Sequence, residues 1–468
     1  MKKWLCIICG LIYDEAQGWP ADGIPPGTLW EDVPQDWVCP DCLVGKADFE
    51  MIEISEDELT EGEVTEPAAV QHTRVSETIV DEPQGPIVII GSGHSGYQVA
   101  AALRKQSSTV AITVFTADDG ALYSKPALSN AFAMGKSAAD LQNEAALEWE
   151  QRLNIRVYPH TRVERIDADN HSLITSIGRY KYGRLVLATG ASAIKIPIAG
   201  DASEVLSVND LHDYAQLRAK LDSKKRVAIL GDGLIGCEFA NDLSAKGYEV
   251  SVIGLGQWPM YRLIPQVVGE ALQQKLAGLG VSWYLEDSIN RIEVNDSVSL
   301  LHLNSGQVIE VDVVLSAVGL VPNVTLAEQA GLEVERGIKV NDDGQTSRPA
   351  IFALGDCAQT SQGWQPYIAP INQILPALVN SLLGNVTNAK FLPSPVIVKT
   401  PIMPLTIFPV PPMAQGQWHI KQQGEELVAV FNDANEQILG FALLGKQVQA
   451  NRSYWLEQIS LNNLAATE

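Results

Sequence analysis

Ile87-Val88-Ile89-Ile90-Gly91-Ser92-Gly93-His94-Ser95-Gly96 decides the fold: four branched apolar residues run straight into a Gly-x-Gly-x-x-Gly loop. An apolar run of this kind reads as a parallel strand buried on both faces. Behind it the sequence predicts a helix through Leu103 and a second strand from Val110 to Phe115. In the order strand, glycine turn, helix, strand, the glycines let a pyrophosphate approach, and the helix N-terminus supplies free N–H groups and a positive dipole. Gly91, Gly93, His94, Ser95 and Gly96 are therefore candidate dinucleotide contacts. Past the second strand an acid is expected on the ribose. Asp118 is best placed and Asp119 is the alternate, while two solvated turn carboxylates would look the same.

The pattern repeats. Val227-Ala228-Ile229-Leu230 leads into Gly231-Asp232-Gly233-Leu234-Ile235-Gly236, a helix through Ala245 and a strand from Val250 to Ile253. Two such folds in one chain fit two dinucleotides, with Gly231, Gly233, Ile235 and Gly236 at the second. An NAD fold should carry an acid after its second strand, and an NADP fold a cationic pocket. Gly254-Leu255-Gly256-Gln257 is neutral and the nearest cation, Arg262, lies further on. The missing phosphate pocket favours NADH.

Ahead of these folds, Cys6-Ile7-Ile8-Cys9 and Cys39-Pro40-Asp41-Cys42 form two C-x-x-C knuckles. Four thiolates paired in this way can hold one tetrahedral metal. A module of about fifty residues needs such a staple, because it buries too little apolar surface to stand on its core alone. Trp4, Tyr13, Trp30, Trp37 and Phe49 would pack beside the metal. Iron and zinc both suit the ligands, although zinc ribbons space their knuckles by about 15–20 residues and here twenty-nine separate Cys9 from Cys39. The leftover Cys237 and Cys357 read as small core residues. Between module and folds, residues 53–85 carry ten acids against Arg74 alone, the composition of a flexible linker. The formal charge of −23 argues against nucleic acid. The absence of an ~18-residue apolar run argues against a membrane span, and without a recognisable leader the expected location is cytoplasmic.

The flanks of the knuckles, C-I-I-C-G-L-I-Y-D, then W-E-D-V-P-Q-D-W-V-C-P-D-C and G-K-A-D-F-E, resemble rubredoxin across the whole module. That resemblance implies one iron on Cys6, Cys9, Cys39 and Cys42, alternating between ferric and ferrous states. Rubredoxins generally place Gly after the fourth cysteine, as Gly10 follows the second, whereas this chain has Leu43.

Tyr123-Ser124-Lys125-Pro126-Ala127-Leu128-Ser129-Asn130, Leu187-Ala188-Thr189-Gly190 and Ile351-Phe352-Ala353-Leu354-Gly355-Asp356 are similar to FAD-dependent rubredoxin reductases, over residues 86 to about 445. The resemblance implies FAD on the first fold, lined also by Pro126, Ala188, Thr189, Gly190, Gly319, Gly355 and Asp356. It places Lys125 beside the flavin N5 and Glu238 near the nicotinamide, within reach of Lys125. A reactive cysteine of related disulfide reductases is replaced by Asn130, which favours direct flavin-to-iron transfer. A helix from Pro370-Ile371-Asn372 to Leu383 would point its N-terminal end at the flavin, although Pro376 could equally open it. Lys399 is either a contact for flavin or rubredoxin or a surface lysine before a turn.

The expected architecture is a small metal-bound rubredoxin-like module plus an α/β flavoprotein with two Rossmann-like FAD/NAD(P)-binding domains and a C-terminal α+β domain. Its parts are rubredoxin at 1–52, linker at 53–85, FAD domain at 86–205 and 306–375, NAD(H) domain at 206–305 and interface domain at 376–468. The implied activity is that of a rubredoxin-NAD(+) reductase, with NADH reducing FAD and FAD reducing the iron of the tethered module or of a separate rubredoxin. A linker of about thirty-five residues spans about 30 Å and gives an effective concentration on the order of mM. The acceptor implied is a membrane alkane monooxygenase, with oxygen or nitric oxide detoxification as the other route. A flavin disulfide or peroxide reductase with an appended zinc ribbon is the rival reading.

Overall fold

The computed structural model describes residues 1–6, 11–34, 37, 39, 46, 51–54, 85–295 and 298–465. The linker before Gly85, and Cys9, Gly10, Cys42 and Leu43, lie outside them.

The strand Ile87–Ile90 is fully buried, as its unbroken apolar run requires. It is the centre of a five-stranded parallel sheet with Arg184–Leu187 and Ile351–Ala353 on one side and Ile112–Phe115 and Arg156–Tyr158 on the other. The helix His94–Gln106 starts inside the glycine loop, with Gly93 as its N-cap. Its buried face of Tyr97, Val99, Ala100 and Leu103 packs on the sheet and on the helix Ile368–Leu382. Pro376 sits inside that second helix and does not open it, so a domain boundary at 376 falls mid-helix. The N-terminal end is Tyr367 and Ile368.

The second sheet is also five-stranded and parallel, in the order Val205–Ser207, Val313–Ser316, Arg226–Leu230, Glu249–Ile253 and Ser282–Tyr284. Its strands therefore extend to either side of the expected 206–305 span. The antiparallel run Ile289–Asn295, Val298–Leu303 and Val308–Val311 lies beside it. The C-terminal domain is an antiparallel sheet, Val396–Val398, Leu405–Phe408, Ile438–Leu444, Glu426–Asn432 and Gln417–Gln423, covered by the helix Arg452–Ala465.

The N-terminal module is a three-stranded antiparallel sheet with Lys3–Cys6 between Ile12–Asp14 and Met51–Ile54. Tyr13, Trp30 and Trp37 form its aromatic core, with ring centroids 5.4–6.4 Å apart. Glu15 is buried beneath them and accepts from Lys2 N, Trp4 Nε1 and Trp30 N at 2.8–3.0 Å. Burial pushes its carboxyl up, and the three N–H donors more than reverse this, leaving it below the usual range. The strand Met51–Ile54 lies alongside the turn Gln447–Asn451 of the C-terminal domain. Among the described residues, no helix is long and apolar enough to cross a membrane.

Candidate functional site

The first glycine loop is shaped by close backbone approaches. A Cβ at Gly91 (φ +109°) would lie 2.2 Å from Ala188 O, and one at Gly355 would lie 2.0 Å from Ser95 Oγ. The Ala188-Thr189-Gly190 crossing and the Gly355-Asp356 turn thus close directly over the start of the helix His94–Gln106. Gly93 differs: a Cβ there would meet nothing within 4 Å. No packing demands this glycine, which is what a cradle left clear for a pyrophosphate requires. Both ring nitrogens of His94 are buried without a hydrogen-bond partner, and burial lowers the imidazole pKa to about 4, so the ring is neutral. An unpaired donor beside the helix start suits a phosphate oxygen. Asp118 stands at the far end of the loop, where its Oδ1 accepts from Ser92 Oγ at 3.1 Å and Gly120 N at 3.0 Å. These residues fit a flavin dinucleotide.

Lys125 opens the 3-10 turn Lys125–Ser129, with Pro126 fixing its first position. Its Nζ lies 4.0 Å from Asp356 Oδ2, which joins the reading of the lysine to that of the Gly-Asp turn. Burial raises the Asp356 carboxyl above the usual carboxylate range, and Lys125 offsets only part of that rise. Gly319 (φ +112°) accepts from Ile194 N at 3.0 Å, next to the strand pair Ala191–Ala193 and Leu320–Pro322. Cys357 is buried, with its Sγ 3.3 Å from Leu187 O, and Cys237 is buried in the second helix, as expected of core residues.

Glu238 corrects one expectation. It does not hold Lys125: the lysine lies by Asp356, and the carboxylate receives Ser129 and Lys399 instead. Oε1 accepts from Lys399 N at 3.0 Å, and Oε2 accepts from Ser129 Oγ at 2.6 Å and Lys399 Nζ at 2.5 Å. Glu238 and Lys399 are 2% and 6% exposed, so Lys399 is a buried ion-pair partner and not a surface lysine. One carboxylate ties the second fold to the first through Ser129 and to the C-terminal sheet through Lys399.

Sequence reasoning missed two neighbours, Asp242 and Asn323. Asp242, one turn after Glu238, caps Phe132 N at 2.9 Å and Ala133 N at 2.7 Å, and burial lifts its pKa to about 7. The pair Asp242 and Glu238, four apart on the helix Leu234–Ala245, was the available signal. Asn323 locks the Ala-Thr-Gly crossing: its Nδ2 donates to Thr189 O and its carbonyl accepts from Thr189 Oγ1, both at 2.8 Å. Asn130, at the position where related disulfide reductases carry a reactive cysteine, is buried with its Oδ1 unpaired.

The second loop repeats the first. A Cβ at Gly231 would lie 2.5 Å from Ala317 O and one at Gly236 2.0 Å from Gly231 O, whereas one at Gly233 would meet nothing. Ile235 is exposed at the helix start. Of the four cysteines expected to hold the metal, Cys6 ends its strand and Cys39 is wholly buried in the aromatic cluster, a dry setting suited to a thiolate ligand. Cys9 and Cys42 lie outside the described residues.

Residues 85–373 match the pyridine nucleotide-disulphide oxidoreductase family, residues 3–49 the rubredoxin family and residues 388–459 the rubredoxin binding C-terminal domain. The chain is 40% identical over 370 residues to the rubredoxin-NAD(+) reductase of Alcanivorax borkumensis, covering 78% of this chain and 96% of that one. It is 37% identical over 365 residues to the nitric oxide reductase FlRd-NAD(+) reductase of Aeromonas salmonicida, covering 78% and 94%. A ferredoxin reductase from Rhodopseudomonas palustris shares the fold at 26% identity and a TM-score of 0.70, over 77% of this chain and 91% of that one. Domains of these families carry FAD, take NAD(H) and, in rubredoxin, hold an iron ion. The chain belongs to the pyridine nucleotide-disulphide oxidoreductase family, among the rubredoxin-NAD(+) reductases, with a rubredoxin domain fused ahead of the reductase.

Proposed function

We propose that the chain carries electrons from NADH through FAD to the iron of its own rubredoxin domain, which then serves a separate acceptor. One observation carries the intramolecular reading. Tyr13, Trp37 and Cys39 belong to one continuous apolar cluster with Val398, Met403, Leu405 and Ile407. The knuckle cysteine is thereby joined through packed side chains to the strand end that bears Lys399, and so to Glu238 and Ser129.

Bound FAD supplies the exchange between a two-electron donor and a one-electron acceptor. The chain's own groups prepare for it. The loop Gly91–Gly96 and His94 would hold the pyrophosphate, and Asp118 the ribose. Lys125 sets a cation, and the helix beginning at Ile368 a positive dipole end, on the side where negative charge accumulates. The loop Gly231–Gly236 would seat NADH. The Glu238–Lys399 pair, almost wholly buried, fixes the second fold against the C-terminal sheet.

We place the chain in the cytoplasm. Its downstream acceptor is a rubredoxin-dependent oxygenase, the alkane monooxygenase class being favoured by the kinship with rubredoxin-NAD(+) reductases. Kinship with nitric oxide reductase FlRd-NAD(+) reductases supports a second reading, an oxygen- or nitric oxide-reducing acceptor.

An anaerobic titration tests the central claim. Full-length protein should show flavin and ferric-thiolate bands together, and both should bleach with about 1.5 equivalents of NADH, one for FAD and half for iron. Iron bands that persist after the flavin is reduced would refute transfer within the chain. Flavin bands without ferric-thiolate absorption, after iron reconstitution, would refute the rubredoxin terminal itself.

A further inference from the structure

The second fold lacks an acid at the end of its second strand, where NAD folds hold the adenosine ribose. The two folds correspond through their sheets. Ile90 pairs with Phe115 in one and Leu230 with Ile253 in the other. Gly91 N and Gly231 N donate to Phe115 O and Ile253 O, each at 2.8 Å. Ser92 thus corresponds to Asp232, Thr116 to Gly254 and Asp118 to Gly256.

In the first fold the acid stands on the far loop and a neutral partner on the glycine motif: Asp118 Oδ1 accepts from Ser92 Oγ at 3.1 Å. In the second the two have changed places. Asp232 reaches across from the motif, and its Oδ2 accepts from Gly256 N at 2.8 Å. A Cβ at Gly254 would lie 2.3 Å from Asp232 Cγ, and one at Gly256 would lie 2.4 Å from its Oδ2. The carboxylate therefore fills the volume from which a strand-end acid would project. No described residue donates to its Oδ1, and the side chain is half-buried at the loop.

We infer that Asp232 holds the adenosine-ribose hydroxyls of NADH and, by its charge, rejects the 2′-phosphate of NADPH. The inference rests on reading this fold as the NADH domain. The nearest cation in sequence does not oppose it. Arg262 Nε donates to Tyr261 Oη at 2.9 Å and its guanidinium lies 5.3 Å from the centre of that ring. It is Asp232, not Arg262, that packs against Gly254 and Gly256.

Two variants of the full-length flavoprotein test this. Asp232→Ser copies Ser92 of the sister motif, so the loop tolerates it. Asp232→Gly combined with Gly254→Asp removes the side chain whose atoms crowd residue 254 and returns the acid to the strand end. NADH- and NADPH-driven ferricyanide reduction gives KM and kcat, and calorimetry with adenosine 2′,5′-bisphosphate and 5′-AMP reads the subsite without turnover. Asp232→Ser should cut the NADH-over-NADPH ratio of kcat/KM by about 10- to 100-fold, mainly through KM. It should tighten the bisphosphate at least about tenfold relative to 5′-AMP. The double variant should recover most of the NADH preference. A coenzyme ratio and bisphosphate affinity both within about threefold of wild type in Asp232→Ser would overturn the assignment. A wild-type protein that oxidises neither coenzyme would instead overturn the NADH-domain reading, and the assignment with it.

Discussion

Replacing Lys399 with Met removes one half of the ion pair that joins three parts of the chain. At 2.5 Å and an effective dielectric of about 20, the pair attracts by about 7 kcal/mol. The cost of taking two ions out of water offsets most of that. The net effect of the substitution is therefore set by what remains: a carboxylate 2% exposed, still receiving Ser129 Oγ and the backbone N of residue 399. Breaking a buried pair from one side costs about 3–5 kcal/mol, and the two surviving donors place this case at the lower end. In so long a chain, about 3 kcal/mol lowers the melting temperature on the order of 5 °C. Glu238→Gln with Lys399→Met removes both charges and should recover at least half of the loss. Near-UV circular dichroism on the four proteins of this cycle measures it. A Lys399→Met variant within about 1 °C of wild type, or single effects that simply add in the double, would show that the pair does not lock the domains.

Gly91→Ala and Gly93→Ala should behave oppositely. The first drives a Cβ into Ala188 O and should destabilise the fold with or without flavin, whereas the second should fold normally and lose FAD affinity, read by flavin release on dilution. His94 predicts a pH window. Its folded pKa of about 4 lies below the unfolded 6.5, so the unfolded chain binds the extra proton between these values and stability falls as pH drops from 6.5 to 4. The loss should reach about 3 kcal/mol in flavin-free protein, and urea unfolding of His94→Gln should show a flatter profile. Glu15→Gln halves the acceptors beneath the tryptophans and should cost the rubredoxin module about 1.5–3 kcal/mol, seen as an earlier tryptophan-fluorescence transition.

What the sequence made legible was local. Both glycine loops, their flanking strands and the aromatic core of the module follow from spacing and from contacts the backbone dictates, whereas Lys125 and Asp356 were marked only by the family resemblance and are brought together by the fold. What stayed hidden depended on partners far apart in sequence. Glu238 and Lys399 are 161 residues apart, and nothing near either shows that Lys399 is buried and competes for the carboxylate expected on Lys125. Pro376 looked like a helix start because proline lacks an N–H, yet the packing of Ile371, Ile374 and Leu378 on the first sheet carries the helix through it. An NAD fold usually carries its ribose acid after the second strand, where this chain has Gly254. Asp232 lies 22 residues earlier, and only the approach of two loops brings it there.

The order of strands also governs how the polypeptide matures on the ribosome. The second sheet draws all five strands from the continuous stretch Val205 to Ser316, so it can assemble as soon as that stretch has emerged. The first sheet waits for Ile351–Ala353, which pairs with Arg184–Leu187 across the whole insertion. The coenzyme domain is thus complete while the flavin domain still lacks its last strand and the Gly355-Asp356 turn. FAD can be captured only after the nascent chain has closed around an already folded insert, and truncation anywhere between 316 and 351 should yield a protein that binds pyridine nucleotide and shows the ferric-thiolate bands of its N-terminal module without flavin bands.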